Sequence, residues 1–259
     1  MSQTLVLLSL YFSFTQGSWW RPHQHMYWND VISEHHINTG VQGEEVFVLD
    51  LFDVPKSIID DLHRKGKKVV CYFSAGTKED WRADASKFPR DGLGDPNKDW
   101  PGETWVDIRN SHVRRIMRDR ISYAASRHCD GVDPDNVDGW AQNQAGLHLT
   151  PADQLDYNRY LAREAHGHGL AIGLKNDVSQ LSDLVGDFDF AINESCMNYH
   201  ECGRYKPFFD ARKPVFHIQY VHSTTEGHQK QHEICSSSDR PHDMNTIIKV
   251  KTVNWKLAC

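Results

Sequence analysis

The sequence has no apolar stretch near the ~20 residues a membrane-spanning helix needs, no lysine or arginine run, and no internal repeat or low-complexity linker. The first absence argues against a membrane partner. The second, with a formal net charge of −6 and a pI near 6.2, argues against nucleic acid and favours a neutral or cationic ligand. Metal motifs are missing as well. Sixteen histidines occur without HExxH or CxxC, the spacings that would hold zinc. The stretch from Asp133 to Gln144 imitates a calcium loop in spacing only. Val137 takes its fifth position, and Gln144 stands where a bidentate glutamate belongs. No metal and no cofactor is expected.

What is present begins with an apolar N-terminal segment. Leu5 to Phe14 has the length of a signal-peptide core, and Thr15 and Gly17 supply small residues for cleavage, although MSQT lacks the usual positive charge. The reading is a signal peptide over 1–17 and a single secreted, monomeric domain over 18–259. Six cysteines fit an oxidising compartment but allow 15 pairings. Cys196 with Cys202, in one loop, and Cys235 with Cys259, near the C-terminus, are the favoured bridges. Cys71, inside the strand-like run VVCYF, reads as a free buried thiol. Cys129 stays unassigned.

Apolar β-like runs alternate with helix-like stretches, the pattern of a parallel sheet with crossover helices. Runs at 46–51, 68–73, 104–108, 131–135, 170–175, 188–193, 214–218 and 246–250 supply the eight strands of a closed (β/α)8 TIM-type barrel, an α/β fold. A doubly wound open sheet is the alternative. It would ordinarily carry a glycine-rich first turn, and DLFDVP has none. Between the strands, Pro55 opens a helix that Gly66 closes. Val113, Ile116, Met117, Arg120, Ile121 and Ala124 share one helical face. Thr150 and Pro151 form a capped helix start.

A barrel of this type places its chemistry at the carboxyl ends of the strands, so polar residues there carry the information. They are Asp50 and Asp53; Tyr72, Glu79, Trp81 and Arg82; Asp133, Asp135 and Asp138; Lys175 and Asn176; Glu194; and Tyr220. Alternation puts Asp133 and Asp135 on one face of their strand and Val132 on the other. Turn and cap roles account for one such aspartate but poorly for three. Glu194 offers a second carboxyl across the mouth, though strict alternation groups it with Ile192 and Phe190, so an inward aim requires a twist at the strand end. Asn193-Glu194-Ser195 also matches the N-glycosylation pattern, at a place poorly suited to a glycan. Two carboxyls flanking a scissile bond are what glycoside hydrolysis needs. Tyr72, Trp81, Trp140 and Tyr220 could form sugar-stacking walls.

Taken in order, CYFSAGTKEDWRAD (71–84), WPGETWVDIR (100–109), CDGVDPDNVDGW (129–140), GLAIGLKND (169–177), FDFAINESC (188–196) and KPVFHIQY (213–220) resemble glycoside hydrolase family 114. The resemblance covers about 200 residues, from Trp19 to Tyr220. It implies a (β/α)8 barrel that cleaves α-1,4-linked galactosamine polymers without a cofactor, with catalytic carboxylates at Asp135 and Glu194. In distant relatives the position of Asp133 varies while those of Asp135 and Asp138 persist, which favours Asp135. The chain departs from the family at Ser195, where glutamine is commoner, and in HMYWNDVIS near its start. Asp50, Asp53, Glu79, Asp133 and Asp138 become candidates to bind a substrate ammonium group. A catalytically silent carbohydrate-binding barrel, a hydrolase of another α-linked glycan and a metal-dependent hydrolase are the competing readings.

Overall fold

The computed structural model describes residues 18–33, 37–40, 43–142, 146–251 and 255–259. The expected signal segment and Gln144 of the calcium-like stretch lie outside the described residues. Strands form at β1 (Trp28–Asp30), β2 (Val46–Asp50), β3 (Lys68–Ser74), β4 (Thr77–Glu79), β5 (Leu93–Pro96), β6 (Glu103–Val106), β7 (Gly131–Asp135), β8 (Ala171–Lys175), β9 (Phe190–Glu194), β10 (Val215–Tyr220), β11 (Met244–Lys249) and β12 (Lys256–Ala258). Nine of them make one strongly curled sheet, in the order β1-β2-β3-β7-β8-β9-β10-β11-β12. Every pairing from β1 to β11 is parallel, and β12 runs antiparallel on β11. The architecture is thus the expected eight parallel strands with helices outside.

One strand assignment fails. The run at 104–108 is not a barrel strand; β6 lies there, in a separate three-stranded antiparallel sheet ordered β4-β6-β5. The missing parallel strand is β1, inside HMYWNDVIS, and it pairs with β2. Three residues are too few to display alternation, so nothing in its pattern marked it as a strand. Both errors precede β7, so they cancel: Asp135 still ends the fourth parallel strand and Glu194 the sixth.

The strands are apolar on both faces because each face is covered. Outward residues such as Leu49, Val69, Val132, Ile172 and Leu174 pack under the helices. Inward residues form a second core inside the barrel, with Trp28, Val48, Val70, Phe190, Ile192 and Phe216. Gly173 makes room there, since a Cβ would lie 2.4 Å from the Phe190 ring. The lower barrel interior is therefore hydrocarbon, and polar side chains collect only at its upper end. This removes the twist expected for Glu194: Phe190 and Ile192 themselves face inward, and alternation carries Glu194 inward with them.

Helix punctuation follows the sequence. The helix Lys56–Arg64 starts after Pro55, and Gly66 follows it with φ of 73°. Ser111–Ser126 buries Val113, Ile116, Met117, Arg120, Ile121 and Ala124. Pro151–Gly167 begins with a capping box between Thr150 and Asp153. Arg120, the charged interruption, is satisfied by two bonds to Asp84 (2.9 and 2.8 Å) and one to the Ser74 carbonyl (2.7 Å).

The barrel closes differently from an unbroken ladder. At the seam, the Trp28 indole donates to the Asn245 carbonyl at 2.9 Å, and the Asn245 side chain donates to the Met26 carbonyl at 2.6 Å. Three disulfides brace the molecule: Cys196–Cys202 and Cys235–Cys259, as favoured from spacing, and Cys71–Cys129. The last corrects the reading of Cys71 as a free thiol. Both sulfurs are buried because they bond each other, between the outer face of β3 and the turn before β7. Closing a loop with a sequence separation of 58, this bridge should stabilise by about 4 kcal/mol in the chain-entropy picture. The double variant Cys71→Ala/Cys129→Ala should lose close to that amount in urea unfolding, with activity per folded molecule retained.

Candidate active site

The upper end of the barrel interior is built around one buried cation. Lys175 ends β8, only 2% of its side chain is exposed, and its Nζ lies 3.4 Å from Asp135 Oδ1 and 3.8 Å from Glu194 Oε1. Those two oxygens, from β7 and β9, are therefore no further apart than the two contacts laid end to end. Burial acts to lower the Lys175 pKa, but the carboxylates of Asp135, Glu194 and Asp133 hold it well above its ordinary value. It is a permanent ammonium. Each flanking carboxylate also accepts from a phenol: Tyr72 donates to Asp135 Oδ2 and Tyr220 to Glu194 Oε1, both at 2.9 Å. These tyrosines orient the acids, and only their ring faces are left for packing against a ligand.

The turns that leave these strands share one device. Directly after Asp135, Lys175 and Glu194, the backbone enters the left-handed region at Asn136 (φ 59°), Asn176 (51°), Asp177 (41°) and Ser195 (62°). Asparagine and aspartate tolerate that region better than most residues. Such turns stop each strand abruptly and fix the aim of its last side chain. Asn136 donates its amide N–H to Asp135 Oδ1 at 2.8 Å, and the Asn176 side-chain oxygen accepts from the Glu194 N–H at 3.1 Å. Gly76 is required opposite, because a Cβ there would lie 1.8 Å from the Asn136 carbonyl oxygen. Asn193 of the glycosylation pattern is buried, and its side chain bonds Asn176 and the Cys196 N–H.

Around this trio the structure gathers Asp133, Asp138, Asn176 and Tyr220 of the expected site residues. Asp133 is fully buried, with neither carboxylate oxygen hydrogen-bonded among the described residues. Burial pushes its pKa up to about 8, against the opposing pull of Lys175. Burial likewise raises Asp138 to about 6 and Asp177 to about 7. A cleft of about 570 Å³ opens beside Glu194, lined by Asp138, Asn176, Asp177, Tyr220 and others.

Five expected residues lie apart from that cleft. Arg82 binds Asp50 through two nitrogens (3.0 and 2.6 Å), Asp53 at 3.0 Å and Glu79 at 3.0 Å. This network, with exposed Trp81, borders a second pocket of about 550 Å³ against the helix at 111–126. The charge of Arg82 is offset by these carboxylates, and the contacts tie the segments after β2 and β3 together. Trp140 is likewise not a free platform, since its indole reaches Asp177 at 3.4 Å.

Sequence reasoning missed several residues at the mouth. Asp30 was invisible because β1 was; burial raises it to about 6, against the pull of Lys249 and Lys175. Trp100, Tyr199, Glu201 and Lys251 reach the cleft from loops, where no periodicity announces direction. Among the described residues, one set could ligate a metal by position: Cys196, Cys202 and His217. The two sulfurs are joined as a disulfide, so the set offers no thiolate. His217 is kept neutral by burial, which lowers its pKa to about 3.

Comparison with known proteins follows the same lines. Residues 10–259 match the sequence profile of Glycoside-hydrolase family GH114. The crystal structure of Aspergillus fumigatus Ega3 in complex with galactosamine is 38% identical, with a TM-score of 0.86, covering 93% of this chain and 98% of that one. The glycoside hydrolase domain of PelA from Pseudomonas aeruginosa shares the fold at 14% identity and a TM-score of 0.66, covering 90% and 96%. Among curated proteins, none matches the chain.

The buried acids set a pH dependence. A carboxyl whose folded pKa is raised contributes stability that is complete below its unfolded value, near 4, and is lost as pH rises through the folded value. For Asp138, Asp177 and Asp133 that loss spans pH 4 to about 8. Thermal unfolding should therefore show a falling midpoint between pH 5 and pH 8. Asp133→Asn, which stays neutral, should make the fall shallower; an unchanged slope would show that Asp133 is ionised in the fold.

Proposed function

This chain belongs to glycoside-hydrolase family GH114, and from that premise we propose that it is a secreted, endo-acting enzyme that cuts α-1,4-linked galactosamine-containing polysaccharide. Residues 18–259 are read as its catalytic domain and 1–17 as its signal peptide. The three disulfides support an oxidising, extracellular setting. Among the described residues no helix is long and apolar enough to cross a membrane. The galactosamine bound by Ega3 supports the substrate class, as does an acid-lined cleft that would attract ammonium-bearing sugars.

The observation that carries the reading is the Lys175 ammonium within 3.8 Å of both carboxylates. In the proposed retaining reaction, Asp135 attacks the anomeric carbon while Glu194 gives its proton to the departing glycosidic oxygen. This forms a glycosyl ester on Asp135. Water then attacks that carbon, Glu194 takes its proton, and Asp135 leaves as carboxylate. Lys175 suits both halves. Its ammonium faces the attacking carboxylate of Asp135 at 3.4 Å. Once the ester removes that charge, the ammonium still faces Glu194, the base of the second half, at 3.8 Å. The contact distances accommodate the roughly 5–5.5 Å carboxyl spacing of retaining enzymes. Asp133, Asp138, Asn176, Tyr72 and Tyr220 position the acids or the sugar. Asp50, Asp53, Glu79, Trp81 and Arg82 would meet substrate only along the second pocket.

On partly deacetylated galactosamine polymer, Asp135→Asn and Glu194→Gln should each reduce kcat by about 10³-fold or more, with folding unchanged by circular dichroism. Tyr220→Phe, which removes one hydrogen bond to Glu194, should cost about tenfold. Wild-type protein that binds the polymer but releases no oligosaccharide would establish a silent binder instead.

A further inference from the structure

The cleft beside Glu194 is not uniformly acidic. Five carboxyls line it, from Asp99, Asp138, Asp177, Glu194 and Glu201, and a single lysine, Lys251. That lysine is exposed in the turn two residues beyond β11. Its Nζ sits 4.9 Å from the centre of the Tyr220 ring and 5.6 Å from that of Trp100. Two aromatic faces thus hold the ammonium by cation–π attraction. Among the described residues no carboxylate pairs with it, so its charge acts on whatever enters. Tyr220 in turn donates to Glu194. The cation therefore stands one side chain away from a proposed catalytic acid, while Asp138, Asp177 and Glu201 supply the acidic lining.

We propose that Lys251 makes the cleft distinguish nitrogen substitution sugar by sugar: the acidic lining takes ammonium-bearing residues, and the position facing Lys251, beside Trp100 and Tyr220, takes an uncharged, N-acetylated one. This deepens the reading of the protein as a galactosamine-polymer hydrolase and rests on it. A 2-ammonium group at that position would meet a like charge across a few ångströms with no intervening counter-ion. An N-acetyl group would offer its carbonyl to the Lys251 N–H donors and its methyl to the exposed Trp100 ring. The substrate that fits the whole cleft is then a partly deacetylated chain, cut where the two kinds of sugar adjoin.

The test uses the full-length protein and two α-1,4-linked oligosaccharides of equal length, one fully deacetylated and one with a single internal N-acetyl group. Their affinities are compared by calorimetry for wild type, Lys251→Gln, Lys251→Arg and Lys251→Glu. Wild type and Lys251→Arg should prefer the mono-acetylated ligand by about tenfold, Lys251→Gln should lose most of that preference, and Lys251→Glu should reverse it. Cleavage products of the mono-acetylated ligand, sequenced by mass spectrometry, should carry the N-acetyl sugar at one new chain end in wild type and scatter in Lys251→Glu. Equal preference in all four proteins, or no binding of either ligand, overturns the proposal. Normal binding preferences with no product from any variant would instead sink the hydrolase reading while leaving the assignment of Lys251 intact.

Discussion

A lysine ammonium with 2% of its side chain exposed, between two carboxylates, is the interaction on which the rest of this molecule depends. Taking such a group out of water costs several kcal/mol, and the cost is recovered only where opposite charges and hydrogen bonds converge on it. The fold supplies that convergence by ending three consecutive sheet neighbours, β7, β8 and β9, with Asp135, Lys175 and Glu194. Removing either acid would leave a buried charge poorly compensated. Removing Lys175 would take away a pull that opposes the effect of burial on Asp133 and Asp138. The trio is at once a structural liability and the centre of the proposed chemistry.

Much of this was legible in the residues themselves. The DGVDPDNVDGW stretch shows its carboxylates by alternation, and the runs around Val46, Lys68, Ala171, Phe190 and Val215 show their strands by β-branched and aromatic content. The helix stripes were equally clear, because a 3.6-residue period over four turns is hard to mistake. What stayed hidden has specific causes. Strand β1 is three residues long. The bond between Cys71 and Cys129 joins segments that become neighbours only when β3 meets β7. The split of the polar residues into two groups follows from Arg82, whose bidentate pairing with Asp50 gathers one of them away from the cleft. The family resemblance named Asp135 and Glu194 but was silent on how a cation is shared between them.

The two tyrosines show how a structure can add a task that a residue's type does not announce. Tyr72 and Tyr220 were expected as aromatic walls, and they do stand at the site. Their hydroxyls in addition fix the two acids from opposite flanks, which is a more demanding geometric role than stacking. The left-handed residues after each acid serve the same end from the backbone side. Side chain, phenol and turn together restrict each carboxylate to one orientation, the condition under which short distances translate into rate.

The seam between β1 and β11 has its own consequence for how the chain is made. The inner hydrocarbon layer is walled by strands that span the sequence from Trp28 to Lys249, and it is sealed where the earliest of them meets the latest. During vectorial synthesis, Trp28 and its neighbours emerge long before Asn245 exists to receive the indole N–H. The nascent chain must therefore carry a half-built trough of Val, Ile and Phe side chains open to solvent. Such topologies, rich in distant contacts, fold slowly and expose sticky surface while they do. Yield in a secretory host should be governed less by the finished molecule's stability than by how well that open trough is sheltered until its last wall arrives.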